Sequence, residues 1–180
     1  MSNVALGVTV CNQKEADLKI PLLIGAPAAM RFVSVEPMLD FVDLDHIRFD
    51  HFTRGSALHG SATSTAGICG QMSPNCSFPK IDWVICGGES GPGARRTHPD
   101  WVRSLRDQCA SAGTPFFFKQ WGEWAPRALD LVEPPGLDYG PGEKEPERIA
   151  AMVRVGRKAA GALLDGREWK QRPDFLNTGD

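Results

Sequence analysis

The run Ile81-Asp-Trp-Val-Ile-Cys-Gly-Gly-Glu-Ser-Gly-Pro-Gly-Ala-Arg-Arg-Thr-His-Pro-Asp-Trp-Val-Arg-Ser-Leu-Arg-Asp-Gln-Cys109 reads as strand, glycine turn, helix. Trp83, Val84, Ile85 and Cys86 form a short apolar run rich in strand-preferring residues. Gly87, Gly88, Gly91 and Gly93 let the backbone turn tightly and approach a bound group. Thr97 or His98 opens a helix, with Pro99 and Asp100 in its first turn, where proline and an acid are favoured. Trp101, Val102, Leu105, Cys109 and Ala112 recur at helical spacing, so one helix face packs inward. A strand that ends in glycines and feeds a helix gathers free amides, which makes the turn a candidate ligand mouth. The competing reading is a tight turn with no ligand. The neighbours Glu89, Ser90, Arg95 and Arg96 favour the first.

Three more strands are expected around this unit, over residues 4–10, 30–35 and 114–121. Residues 15–29 begin as a helix that Pro21 and Pro27 are expected to break. The intervals suit crossovers rather than hairpins, so the order β-α-β-(loop)-β-α-β predicts a parallel α/β fold. Four βα units amount to half of a TIM-like barrel, a parallel half-barrel with a long insertion and a C-terminal helix. Polar residues fall at the carboxyl ends of the strands, where parallel folds place ligands. They are Asn12 and Gln13, then Glu36, then Glu89 and Ser90, then Lys119 and Gln120 beside Trp121.

The remaining segments read differently. Residues 45–80 are rich in Gly, Ser, Thr and Ala and predict a loop insertion with little to bury. Residues 125–148 form a Pro/Gly-rich loop, and residues 149–169 a C-terminal amphipathic helix with a turn. A chain of 180 residues suits one domain, 1–180. Net charge is -2, so no global field recruits nucleic acid. No apolar run approaches the roughly 20 residues that span a bilayer, and no secretion signal opens the chain, so the expected location is the cytoplasm.

Several chemistries compete for the strand ends. Glu36, Glu89 and Lys119 at one mouth would do acid–base work, or hold an amine or a metal, against the alternative of a salt-bridged rim. Arg95 and Arg96 suit phosphate or carboxylate. Ser90 lacks the glycine spacing of a nucleophile elbow, which argues against a hydrolase. The five tryptophans read as core before they read as a stacking surface for bases. An odd count of five cysteines does not make a disulfide framework. Cys69 and Cys76, with His51 and His59 upstream, are weak zinc candidates, because the spacing is not that of a finger or ribbon.

Four runs in one order resemble a phage-encoded, radical-SAM-like family of unknown function. They are Asn3-Val-Ala-Leu-Gly-Val-Thr-Val-Cys-Asn-Gln13, Arg31-Phe-Val-Ser-Val-Glu-Pro-Met38, Asp82-Trp-Val-Ile-Cys-Gly-Gly-Glu-Ser-Gly91 and Pro115-Phe-Phe-Phe-Lys-Gln-Trp-Gly-Glu123. The tail Val155-Gly-Arg-Lys-Ala-Ala-Gly-Ala-Leu-Leu-Asp-Gly-Arg-Glu-Trp169 resembles that family's end. The resemblance covers most of the chain outside residues 45–80. It implies a chain equivalent to the C-terminal half of a longer barrel, whose N-terminal half carries three clustered cysteines for a 4Fe–4S cluster.

Cys69 and Cys76 match the spacing of the first two of those cysteines, but Pro79 stands where the third would fall. Cys11 stands where the family usually has an acid. The resemblance therefore implies no cofactor in the isolated chain. S-adenosylmethionine and the cluster enter only with the N-terminal half. It also implies that open barrel edges dock that half or a second copy. The alternative is a non-catalytic module binding a nucleotide, nucleic acid or protein.

Overall fold

The computed structural model describes residues 3–64, 76–126 and 152–174. In chain order the elements are β1 (Ala5–Thr9), α1 (Gln13–Gly25), β2 (Met30–Val35), β3 (Ile47–Arg48), β4 (Thr53–Ser56), β5 (Ser61–Ser64) and β6 (Cys76–Ser77). Then follow β7 (Trp83–Gly87), α2 (Pro99–Ala112), β8 (Phe116–Gln120), β9 (Trp124–Pro126), β10 (Met152–Arg154), α3 (Arg157–Ala160), β11 (Leu163–Leu164) and β12 (Arg167–Glu168).

The four expected strands form one parallel sheet in the order β1-β2-β7-β8. The architecture is mixed α/β. One face of the sheet is buried: Val33, Val35, Val84, Cys86 and Phe118 are fully inaccessible. They share a core with Ile20, Leu23 and Ile24 of α1 and Val102, Leu105 and Cys109 of α2. Phe32, Trp83, Ile85, Phe117 and Lys119 alternate with them and face the other way, half-buried or exposed. Trp83 sits between Phe32 and Phe117 with centroids 6.2 and 5.9 Å away. The ring of Phe32 lies where a Cβ on Gly7 would stand, so glycine there lets the aromatic row lie flat.

α2 starts as its sequence predicts. His98 caps it, Pro99 holds the first position, and Gly113 ends it at φ 65. α1 departs from expectation, because Pro21 lies inside it. Buried Ala16, Ile20, Leu23 and Ile24 hold the helix against the sheet on both sides of the proline. Arg31 of β2 reaches under the end of α1 and donates to the carbonyls of Leu23, Ala26 and Ala28.

Residues 45–80 are not simply a loop. Among the described residues they carry an antiparallel sheet in the order β3-β4-β5-β6. Composition hid it, since small polar residues dominate. Ile47, Ala57, Leu58 and neighbouring Ile81 are nonetheless fully buried and anchor it to the core. Asp50 organises the β3–β4 turn by accepting from the Phe52 and Thr53 amides at 2.7 Å.

The C-terminal helix expected over 149–169 is replaced as well. β10 pairs antiparallel with β9, and among the described residues of that span only Arg157–Ala160 are helical. Gly156 and Gly161, at φ 85 and 65, bracket that single turn. Most of the Pro/Gly-rich run at 125–148 lies outside the described residues; Ala125 and Pro126 belong to β9.

The chain's last described stretch closes the β8 edge: the Phe118 amide donates to Trp169 O at 2.7 Å, and Phe117 bridges Lys170. A clasp fixes it to α2. Asp165, at φ 54, accepts from Arg103 Nη2 at 2.7 Å and Arg106 Nη1 at 2.8 Å. Arg106 and Arg167 both lie over the Trp169 ring. D165A is expected to lower unfolding free energy by about 1 kcal/mol, read from urea titration, because the clasp is partly solvated.

Candidate functional site

Glu36 is the first residue beyond β2, and Lys119 is the penultimate residue of β8. Both lie on the sheet face away from the helices, at the carboxyl end. Lys119 Nζ stands 3.2 Å from Glu36 Oε1. Ser34 Oγ donates to Glu36 Oε2 at 2.9 Å. Gly87 lies between the two on β7, and a Cβ there would stand 2.6 Å from Glu36 Oε1. Glycine at 87 is therefore what lets the carboxylate lie across the strand ends. The Lys119 side chain is 59% exposed and that of Glu36 20% exposed. Such a pair adds little stability, roughly 0–1 kcal/mol.

The third candidate does not join them. Glu89 is held by Arg95, whose backbone amide, Nε and Nη2 all donate to it at 2.8 Å. Those bonds pull the Glu89 carboxyl down from 4.5 to about 2. A carboxylate depressed in the folded state stabilises fully above its unfolded pKa and loses that contribution as pH falls through the folded one. E89Q is therefore expected to flatten the acid limb of the stability curve between about pH 4.5 and 2, checked by thermal melts across that range.

Other predicted residues prove to be fold-forming. Asn12 caps α1, accepting from the Glu15 amide at 3.0 Å. Gln13 accepts from the Asp43 amide and donates to its carbonyl, tying the post-β2 segment to α1. Trp121 belongs to the core rather than to a ligand wall; it is 2% exposed, packs on Phe118 and donates to Leu163 O.

The remaining candidates line the loop after β7. Gly88 and Gln120 are joined twice, Gly88 N to Gln120 O and Gln120 Nε2 to Gly88 O, both at 2.9 Å. Gln120 Oε1 is left buried without a partner. Ser90 is exposed on the same loop. Arg96 lies over the Trp124 ring at 4.7 Å. Asn12, Gln13 and Arg95 also line a shallow cleft with Lys14, Leu39 and Asp40.

Sequence reasoning missed Ser34, Glu123 and Arg154. Ser34 had a signal, since it precedes Glu36 by two residues and so shares its face. Arg154 had none; a separate strand brings it to Trp124.

Thiols are placed unfavourably for a cluster. Cys86 and Cys109 are buried among the helices, where desolvation raises the first well above its ordinary value and the second to about 12. Cys11 is half-buried, its thiol also raised by burial. A cluster needs several thiols gathered at one place, and these three do not gather, so they do not fit one. Among the described residues no three His, Cys, Asp or Glu gather as a metal site. Cys69 lies outside the described residues, as does the side chain of Cys76.

Among known proteins, the family model described as "Protein of unknown function (DUF5131)" matches residues 1–173. No curated protein and no solved structure matches the chain. No helix among the described residues is long and apolar enough to cross a membrane.

Proposed function

The chain belongs to the DUF5131 family, and on that premise we propose that its parallel sheet supplies the substrate-side wall of a strand-end pocket. The observation that carries this reading is the Glu36–Lys119 pair. It is charged, positioned by Ser34 and Gly87, and too exposed to be needed for stability. Glu36 accepts a proton or holds an ammonium group. Lys119 neutralises it when the pocket is empty and turns to an anionic substrate group when the pocket is filled.

The opposite wall is a second α/β half, completing a radical-SAM-like barrel of phage origin. Three features support that partner. The strands run in sequence order, as in a singly wound barrel. Among the described residues no strand pairs the outer side of β1, so the partner joins at that edge and the barrel stays open at β8, whose edge the chain's own residues occupy. The row Phe32–Trp83–Phe117 lies on the inward side such a barrel would have. S-adenosylmethionine and the 4Fe–4S cluster would come with that half, since this chain's described thiols do not fit a cluster.

The test mixes this chain anaerobically with a separately expressed three-cysteine half from a longer family member, its iron–sulfur cluster reconstituted and dithionite added as the electron donor. A one-to-one complex that releases 5′-deoxyadenosine from S-adenosylmethionine, with at least about tenfold loss in K119M, is expected. Failure of the halves to associate would overturn the barrel reading. The aromatic row also favours a second reading, a protein-binding module without catalysis. In that case the complex forms and K119M changes nothing.

A further inference from the structure

Arg96 and Arg154 come from segments 58 positions apart, yet both lie over the ring of Trp124, at 4.7 and 5.9 Å. Trp124 is fixed by donating from Nε1 to Ala94 O at 2.8 Å. Arg154 Nη2 donates to Gly91 O at 3.0 Å, so it is fixed to the same loop. Glu123 Oε1 accepts from the Gly91 amide at 3.1 Å and braces that loop from the β9 side. The amides of Val155 and Gly156 donate to Glu123 O, which binds the β10–α3 turn to the same corner.

Stacking holds the plane of a guanidinium while leaving its edge free. Arg96 makes no hydrogen bond or ion pair with the described residues, so its fork of donors is unsatisfied and points to water. Both side chains are exposed. The neighbouring charges are few. Glu89 is already neutralised by Arg95, and Glu123 also accepts from the loop, through the Gly91 amide. Arg157 and Lys158 follow on α3, both exposed. Among the described residues the corner therefore carries an excess of positive charge, on a chain whose net charge is -2.

We propose that the Arg96–Trp124–Arg154 corner binds the phosphate groups of a small phosphorylated ligand at the carboxyl end of the sheet. Two guanidiniums on one rigid ring match the oxygens of one or two phosphates. A long polyanion fits less well, because the charge excess is confined to this corner. The inference does not depend on Glu36 and Lys119 acting as proposed.

Calorimetric titration with sodium pyrophosphate and with ATP tests it. Saturable binding is expected, weakened about tenfold or more by R96A and by R154A and only partly restored by R96K. Binding lost in K119M but kept in R96A and R154A would place the phosphate at the strand-end pocket and overturn the proposal. Circular dichroism confirms that the exposed-site variants remain folded. Absence of saturable binding by either probe overturns the proposal, as does affinity indifferent to both arginines. A single-stranded 12-mer that binds more tightly than ATP, with a steep salt dependence, also overturns it, in favour of a nucleic-acid surface.

Discussion

Gly88→Ala is expected to cost about 3 kcal/mol or more of stability, enough to unfold a marginal domain at physiological temperature. A Cβ on Gly88 would fall on the carbonyl of Trp121, which is backbone and cannot swing aside. The collision lies where β7 and β8 end together, next to the reciprocal hydrogen bonds that join Gly88 to Gln120. Its neighbour gives the contrast. A Cβ on Gly87 meets only the tip of Glu36 at 2.6 Å and Gln120 O at 3.5 Å. Gly87→Ala is thus expected to keep most of the stability and displace Glu36 from Lys119. Urea denaturation separates the two: a large midpoint shift for Gly88→Ala, a small one for Gly87→Ala. Equal shifts would show that the strand ends are looser than described.

Arg31→Ala carries the second large effect, about 3 kcal/mol, or a fall in melting temperature of about 6–12 °C. Arg31 is 9% exposed and donates to three carbonyls at the end of α1, at 3.3, 3.4 and 2.6 Å. α1 has no basic residue in its last turn, and its cap, Ala26, is extended. One strand side chain therefore does the work that a left-handed glycine and a terminal lysine do elsewhere. Removing it takes that donor from the half-buried carbonyls of Ala26 and Ala28, while Leu23 O keeps the Ala26 amide. Arg31→Lys is expected to recover only part of the loss, since an ammonium cannot reach three carbonyls in a planar fork. A thermal melt of both variants checks the ranking.

The parallel sheet was legible because its strands are apolar, β-rich and separated by crossover-length intervals. α2 was legible for a similar reason, with His98, Pro99 and Gly113 marking its ends. What escaped the sequence depends on distant partners. Pro21 reads as a breaker until the burial of Ile20, Leu23 and Ile24 is known. The strands between residues 47 and 77 are held by a few buried side chains among many small polar ones. Residues 152–154 show helical spacing yet pair with β9.

Within the site, strand-end reasoning brought Glu36 to Lys119. It failed for Glu89, because Arg95 lies six residues on and captures the carboxylate locally. It failed for Trp121, because the pairing of β8 with β7 skips Lys119, so simple alternation no longer holds beyond it and the ring falls into the core. Alternation along a strand says which face a residue takes; it does not say whether a nearer partner will claim it.

The central claim is that β2 and β8 deliver Glu36 and Lys119 to one rim on the side of the sheet away from the helices. Zero-length carbodiimide coupling of the native protein, followed by peptide mass spectrometry, tests it without any substitution. At 3.2 Å the pair is expected to form an isopeptide bond, with Glu15–Lys19, at 2.7 Å, as the internal control. A coupled control with no Glu36–Lys119 product would contradict the claim.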